Sequence, residues 1–232
     1  MNRLPSIICT TAVTAALLLS AAPARAVPDG PIADAKPVTA VAPEGAMAAR
    51  LAYNVGYEVF EKTQLEEAAS VGLTGAKAKA AQAKMLAGYR EARERFDAAA
   101  KADPSVKEAW NLVGYTNRRL GDYEASLAAY EKALALNPTY SEAIEYRGEA
   151  YLALNRVDDA KAAYMTLFAG SRAHAAILLS AMRAWVIERR ARPAGLAKAD
   201  VDALAQWIEE RASVAQQTAS LSPDVVVVRR WD

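Results

Sequence analysis

The chain reads as an all-α solenoid of stacked helical hairpins, closed at its C-terminal end by a capping hairpin. Three observations carry this. From residue 45 to about 220 alanine dominates and no strand signal appears. Gly114, Ser126 and Tyr130 are followed 34 residues on by Gly148, Ala160 and Tyr164, an order of small and aromatic residues kept at a fixed step. Proline punctuates the copies, at Pro104 and Pro138. Hairpin units that cannot bury their apolar faces alone stack on one another, which fixes the architecture.

Taking the chain in order, residues 1–26 read as an export signal rather than part of the fold. Asn2 and Arg3 make a short polar, basic start, residues 7–19 are an apolar run, and Ala24-Arg25-Ala26 has the small-x-small form of a cleavage site. The run is shorter than the roughly 20 apolar residues a membrane span needs. Cys9, the single cysteine, lies in this run, so cleavage after Ala26 leaves a chain without thiol or disulfide chemistry. The expected location is therefore periplasmic or secreted, with no membrane insertion after cleavage.

The formal net charge is +1, and removing Arg3 and Arg25 with the leader takes it to −1. No basic surplus points to nucleic acid. About 205 residues remain, enough for one elongated domain. Residues 27–44 are rich in alanine and proline and have little to bury, which predicts a disordered linker.

The clearest repeat spans residues 107–140. Ser105 and Glu108 have capping-box spacing and open a helix running to Leu120. Gly121 ends it in a left-handed conformation, Asp122 caps a second helix over 123–136, and Asn137-Pro138 stops that one. Thr139 and Glu142 repeat the capping-box spacing and open the next repeat, 141–174, with helices over 141–154 and 157–168. Gly114 lets the paired helix approach, Ser126 and Ala133 are small for the same reason, and Trp110, Tyr123 and Tyr130 fill the space around them. Trp110 is expected in the core.

Upstream, residues 45–106 read as a first repeat with both helices lengthened and the hairpin turn at residues 72–75. The alternative is a separate degenerate repeat from about residue 73 to 104. Residues 175–220 supply capping helices over 172–191 and 199–220, separated by Arg192-Pro-Ala-Gly195, with apolar faces from Trp185, Ile187, Leu204, Trp207 and Ile208. Core packing is the expected role of these tryptophans. The tail, 221–232, holds four consecutive valines at 225–228 before Arg229-Arg230-Trp231-Asp232. Such a run favours extended chain, either free or docked along a groove with Trp231 as anchor.

The segment resembles the tetratricopeptide repeat family. Trp110, Gly114, Gly121, Tyr123, Tyr130, Ala133 and Pro138 match its signature residues, as do Gly148, Tyr151, Ala160 and Tyr164 in the next copy. Ser126 stands for the usual alanine, and Leu167 replaces a small residue with no proline closing that copy. Ala52, Tyr53, Gly56 and Tyr57 resemble a first helix, and Tyr89, Ala92, Phe96, Ala99 and Asp103-Pro104 a second, so the resemblance covers about residues 47–170.

The resemblance implies a groove lined mainly by first helices. Its candidate residues are Arg50, Tyr53, Tyr57 and Phe60, then Glu108, Asn111, Tyr115, Arg118 and Arg119, then Glu142, Glu145 and Glu149. That order is an aromatic end, a polar and basic middle and an acidic end, and Tyr and Arg are residue types that often dominate interface energy. The family's carboxylate-clamp subset has an asparagine directly after the mid-helix glycine. Tyr57 and Tyr115 stand there in this chain, which argues against recognition of a peptide C-terminal carboxylate.

Catalytic and metal chemistry find no constellation. His174 is the only histidine, so neither a multi-histidine metal site nor a Ser–His–acid triad with a second histidine can be assembled. It reads as a helix-surface or packing residue. No nucleophile-elbow or phosphate-loop motif occurs. Adjacent acids such as Glu66-Glu67 read as solvated helix faces. The expected function is non-catalytic: no cofactor, no metal, and a partner that is another protein or peptide, held in the groove as by an adaptor or assembly factor. The alternative is a self-associating structural component of the cell envelope.

Overall fold

The computed structural model describes residues 44–218. The signal, the 221–232 tail and all of the linker except Glu44, which opens the first helix, lie outside them. The described residues form eight helices: α1 Glu44–Ala69, α2 Gly75–Ala102, α3 Lys107–Leu120, α4 Tyr123–Leu136, α5 Ser141–Ala153, α6 Val157–Gly170, α7 Arg172–Ala191 and α8 Lys198–Gln217. Each helix packs on the next, and α3 also touches α5 as α5 touches α7. The odd-numbered helices from α3 onward thus share a layer, while the even-numbered ones meet at single side chains such as Tyr164 of α6 and Trp207 of α8. This is an all-α, tetratricopeptide-like solenoid ending in the α7–α8 hairpin. Residues 64–84 fall at the end of α1, in one turn and at the start of α2, a single long hairpin of 26- and 28-residue helices.

The turns repeat as faithfully as the helices. Gly121 is left-handed at φ 84°, and the amides of Gly121 and Asp122 return to the carbonyls of Arg118 and Asn117. Asn155, 34 residues later, takes the same role at φ 58°. Asparagine tolerates that region better than most residues, and Arg189 Nε donates to its Oδ1 at 3.1 Å.

The two expected capping boxes are absent. Val106 and Tyr140 occupy the N-cap positions, without side-chain caps. The hydroxyls are already engaged one step earlier. The amide and hydroxyl of Ser105 both donate to Asp103 Oδ1, at 3.0 and 2.6 Å, and those of Thr139 to Asn137 Oδ1, at 3.1 and 3.0 Å. Asp-Pro-Ser and Asn-Pro-Thr therefore form matching Asx turns between hairpins. Asp122 does cap α4, accepting from the Ala125 amide at 3.4 Å.

Close approach explains the mid-helix glycines. A Cβ on Gly114 would lie 2.5 Å from the Tyr130 ring, and Ser126 Oγ donates to the Gly114 carbonyl at 2.8 Å. The buried side chains fall into two clusters. One holds the aromatic interior of α1 and α2 with Leu112 and Tyr115 of α3; the other runs from Tyr130 and Ala133 of α4 through α8. Trp110 and Tyr146 flank both. Trp110 is only half-buried, contrary to expectation: its indole N–H reaches the Pro104 carbonyl at 3.0 Å and Lys132 covers its outer face.

In the C-terminal hairpin, Leu204 and Ile208 are buried and Trp185 nearly so, its N–H donating to the Leu152 carbonyl at 2.7 Å. Trp207 packs edge-on against Tyr164. Ile187, expected on the apolar face, is 69% exposed, because the buried stripe of α7 runs through Leu178, Met182, Trp185 and Val186 and leaves the next position outside.

Candidate partner-binding groove

Spacings of three, four and seven residues bring one stripe from each odd-numbered helix to the shared layer. On α1 the stripe is Phe60, Gln64 and Glu67; on α3 Asn111, Tyr115 and Arg118; on α5 Glu142, Glu145, Tyr146 and Glu149; on α7 it begins at His174. These side chains meet in one strip. Phe60 and Tyr115 pack edge to face with centroids 5.0 Å apart, and Tyr115 repeats the contact with Tyr146 at 5.0 Å. The Gln64 amide donates to the Tyr115 hydroxyl at 3.4 Å.

Two ion pairs cross the strip. Arg118 pairs with Glu149 and lies over the rings of Tyr115 and Tyr146. Arg119 pairs with one oxygen of Glu67, while the Tyr89 hydroxyl donates to the other at 2.7 Å. The four side chains are 11–20% exposed, so the pairs are shielded but not sealed from water. Burial opposes the charge on Arg118, yet Glu149 foremost, with Tyr130 and Tyr115, outweighs it and keeps the guanidinium firmly protonated. Arg119 is held the same way against its own burial by Tyr115, Tyr89 and Glu67. Toward α7, His174 Nε2 lies 3.8 Å from Glu142 and 3.9 Å from Glu145, and its Nδ1 is 2.7 Å from the Ser171 hydroxyl.

The structure sorts the sequence-predicted residues into two groups. Tyr53 and Phe60 are wholly buried and Tyr57 nearly so, packed on Phe96, Tyr89 and one another. The expected aromatic end of the groove is therefore core, because α2 is long enough to cover that face of α1. Asn111 is buried beside Tyr140, its amide 3.4 Å from the hydroxyl, and Tyr115 and Glu145 are nearly covered. Glu108 and Glu142 keep partial exposure, as do Arg118, Arg119 and Glu149, and Arg50 stands exposed on the first turns of α1.

Four members of the strip were not singled out by the sequence. Glu67, read there as part of a solvated face, is an ion-pair partner two helices away from Arg119. Gln64, Tyr146 and His174 complete it. Helical spacing of Gln64 from Phe60 and of Tyr146 from Glu142 was the available signal for those two, and no single-helix pattern reveals which neighbours they or His174 meet.

The fold and the strip define a helical-hairpin solenoid with a polar and aromatic face along its first helices. Two tetratricopeptide repeat family models match the chain, over residues 86–141 and 118–181, so this stretch is similar to tetratricopeptide repeats. Among solved structures, the first TPR of Spaghetti (RPAP3) bound to the HSP90 peptide SRMEEVD is similar at 20% identity and a TM-score of 0.46, over 60% of this chain and 94% of that one. No curated protein matches the chain.

Proposed function

We propose that the protein is a non-catalytic adaptor or assembly factor that holds another polypeptide along the strip from Glu67 to His174. The observation that carries this is the continuity of the strip: side chains of α1, α3, α5 and α7 form one graded surface rather than separate solvated faces. Its arginines are already neutralised by Glu149 and Glu67. A partner's terminal carboxylate would have to displace an internal acid to reach them, which favours recognition of internal segments. The α5–α7 end presents the partly exposed Glu142 beside a single histidine, a setting for a basic side chain of the partner. No step of bond chemistry is required of any residue.

The same reading places the protein outside the cytoplasm. Its support is the basic start, apolar run and small-x-small site of residues 1–26.

A photo-crosslinking amino acid at Gln64 or Glu142 tests the groove, with the same group at Leu136, an exposed position of α4, as control. A distinct protein trapped from the two strip positions and not from Leu136 is the expected result. Equal trapping from all three positions would overturn the assignment, and recovery of only this chain would replace it with self-association.

A further inference from the structure

An apolar cavity of about 220 Å³ opens where α6, α7 and α8 meet, away from the strip. Tyr164 and Phe168 wall one side, Ala176 and Leu179 the other, and Arg172 and Thr218 stand at the rim. The Arg172 guanidinium lies 3.4 Å from the centre of the Phe168 ring and donates to the Thr218 hydroxyl at 3.1 Å. Cofactor and small-ligand sites usually run to roughly 300–1,000 Å³. This one is the size for one or two aliphatic side chains.

We propose that the valines at 225–228 of this same chain dock here, with Asp224 against Arg172. Three observations converge. Thr218, the last described residue, is itself part of the rim, so the following segment starts at the cavity's mouth. The six residues from 219 to 224 can span about 20 Å when extended, ample for a return, and Ser222-Pro223 supplies turn chemistry midway. Tethering at that range also gives an effective concentration on the order of millimolar, so a shallow apolar site suffices.

The segment's chemistry matches the site in order. An acid comes first, where the rim offers a cation that is only partly engaged by a hydroxyl. A β-branched apolar run comes next, where the walls are aromatic and aliphatic. Docking would cover the open side of the last hairpin, the surface a solenoid end must shield.

The test uses the full chain with Cys9→Ser, carrying Ala176→Cys and Val226→Cys, under mild oxidation. A disulfide within one chain is expected, since the bond forms only when the two Cα atoms come within about 7 Å. The same cysteine at 226 paired with Leu136→Cys should stay reduced. Amide hydrogen exchange supplies the second readout, independent of the substitutions. Residues 172–179 should exchange several-fold more slowly in the unsubstituted full chain than in one ending at Thr218. Disulfides only between chains would assign the cavity to a second copy and overturn docking within the chain. Equal exchange in the two lengths would overturn docking altogether.

Discussion

Gly114 and Gly148 occupy matching places in successive hairpins, yet they should not tolerate alanine equally. At Gly114 the new methyl meets three atoms of the Tyr130 ring within 3.0 Å, and that ring is fully buried. A rigid ring enclosed on all sides has nowhere to turn, so Gly114→Ala should cost about 1–3 kcal/mol despite a helix-propensity gain of up to about 1. At Gly148 the obstacles are the terminal methyls of Leu178, at 2.7 and 2.9 Å, which can rotate. Urea unfolding of the two variants should show the Gly114 change to be clearly the larger; equal midpoints would mean the Tyr130 ring is not held as described. These glycines were legible in the sequence because close approach leaves only one residue type open. The hydroxyls of Ser105 and Thr139 were misjudged because two local motifs, a capping box and an Asx turn, compete for one side chain. Spacing alone does not say which acceptor is nearer.

Among the elements, α1 and α2 depart most from the regular repeat, and tyrosines of α2, α4, α5 and α6 carry a titration that can be measured. Burial, then the proximity of Tyr115, raises the pKa of Tyr89 and Tyr146 well above the ordinary 10.0. Burial does the same at Tyr130, where Arg118 pulls partly the other way, and at Tyr164. These phenols stay neutral in the folded chain while their unfolded counterparts ionise near pH 10. Their contribution to stability is whole below about pH 10 and falls as pH climbs beyond it. Tyrosinate absorbance followed together with helicity should show Tyr89, Tyr130, Tyr146 and Tyr164 ionising in one step with loss of helix, and their smooth titration with helicity intact would contradict their burial. Helix order and hairpin turns could be read from the sequence because capping, glycine and proline act within a few residues. The fate of Tyr53, Tyr57 and Phe60 could not. Whether an aromatic stripe faces solvent or core depends on how far the partner helix extends, and α2 runs 28 residues.

At the scale of the whole molecule, stability rests on neighbours, so the last hairpin matters beyond its own length. Val201, Leu204 and Ile208 are buried in the C-terminal cluster, where α8 packs mainly on α7. At about 1.5–3 kcal/mol each, their burial is comparable with the entire stability of an ordinary domain. A chain ending after residue 195 should melt at markedly lower temperature and elute as larger species on size exclusion, because the apolar stripe of α7 is left bare. A truncated form that melts unchanged would deny the hairpin its capping role. The two clusters of buried side chains have a different consequence. Their boundary runs through one repeat, with α3 belonging to the N-terminal cluster and α4 largely to the other, and the half-buried rings of Trp110 and Tyr146 pack against both. Tyr146 thus joins the two clusters while also meeting Tyr115 and Arg118 in the strip. A change at Tyr146 is therefore felt in both halves of the interior and in the strip together.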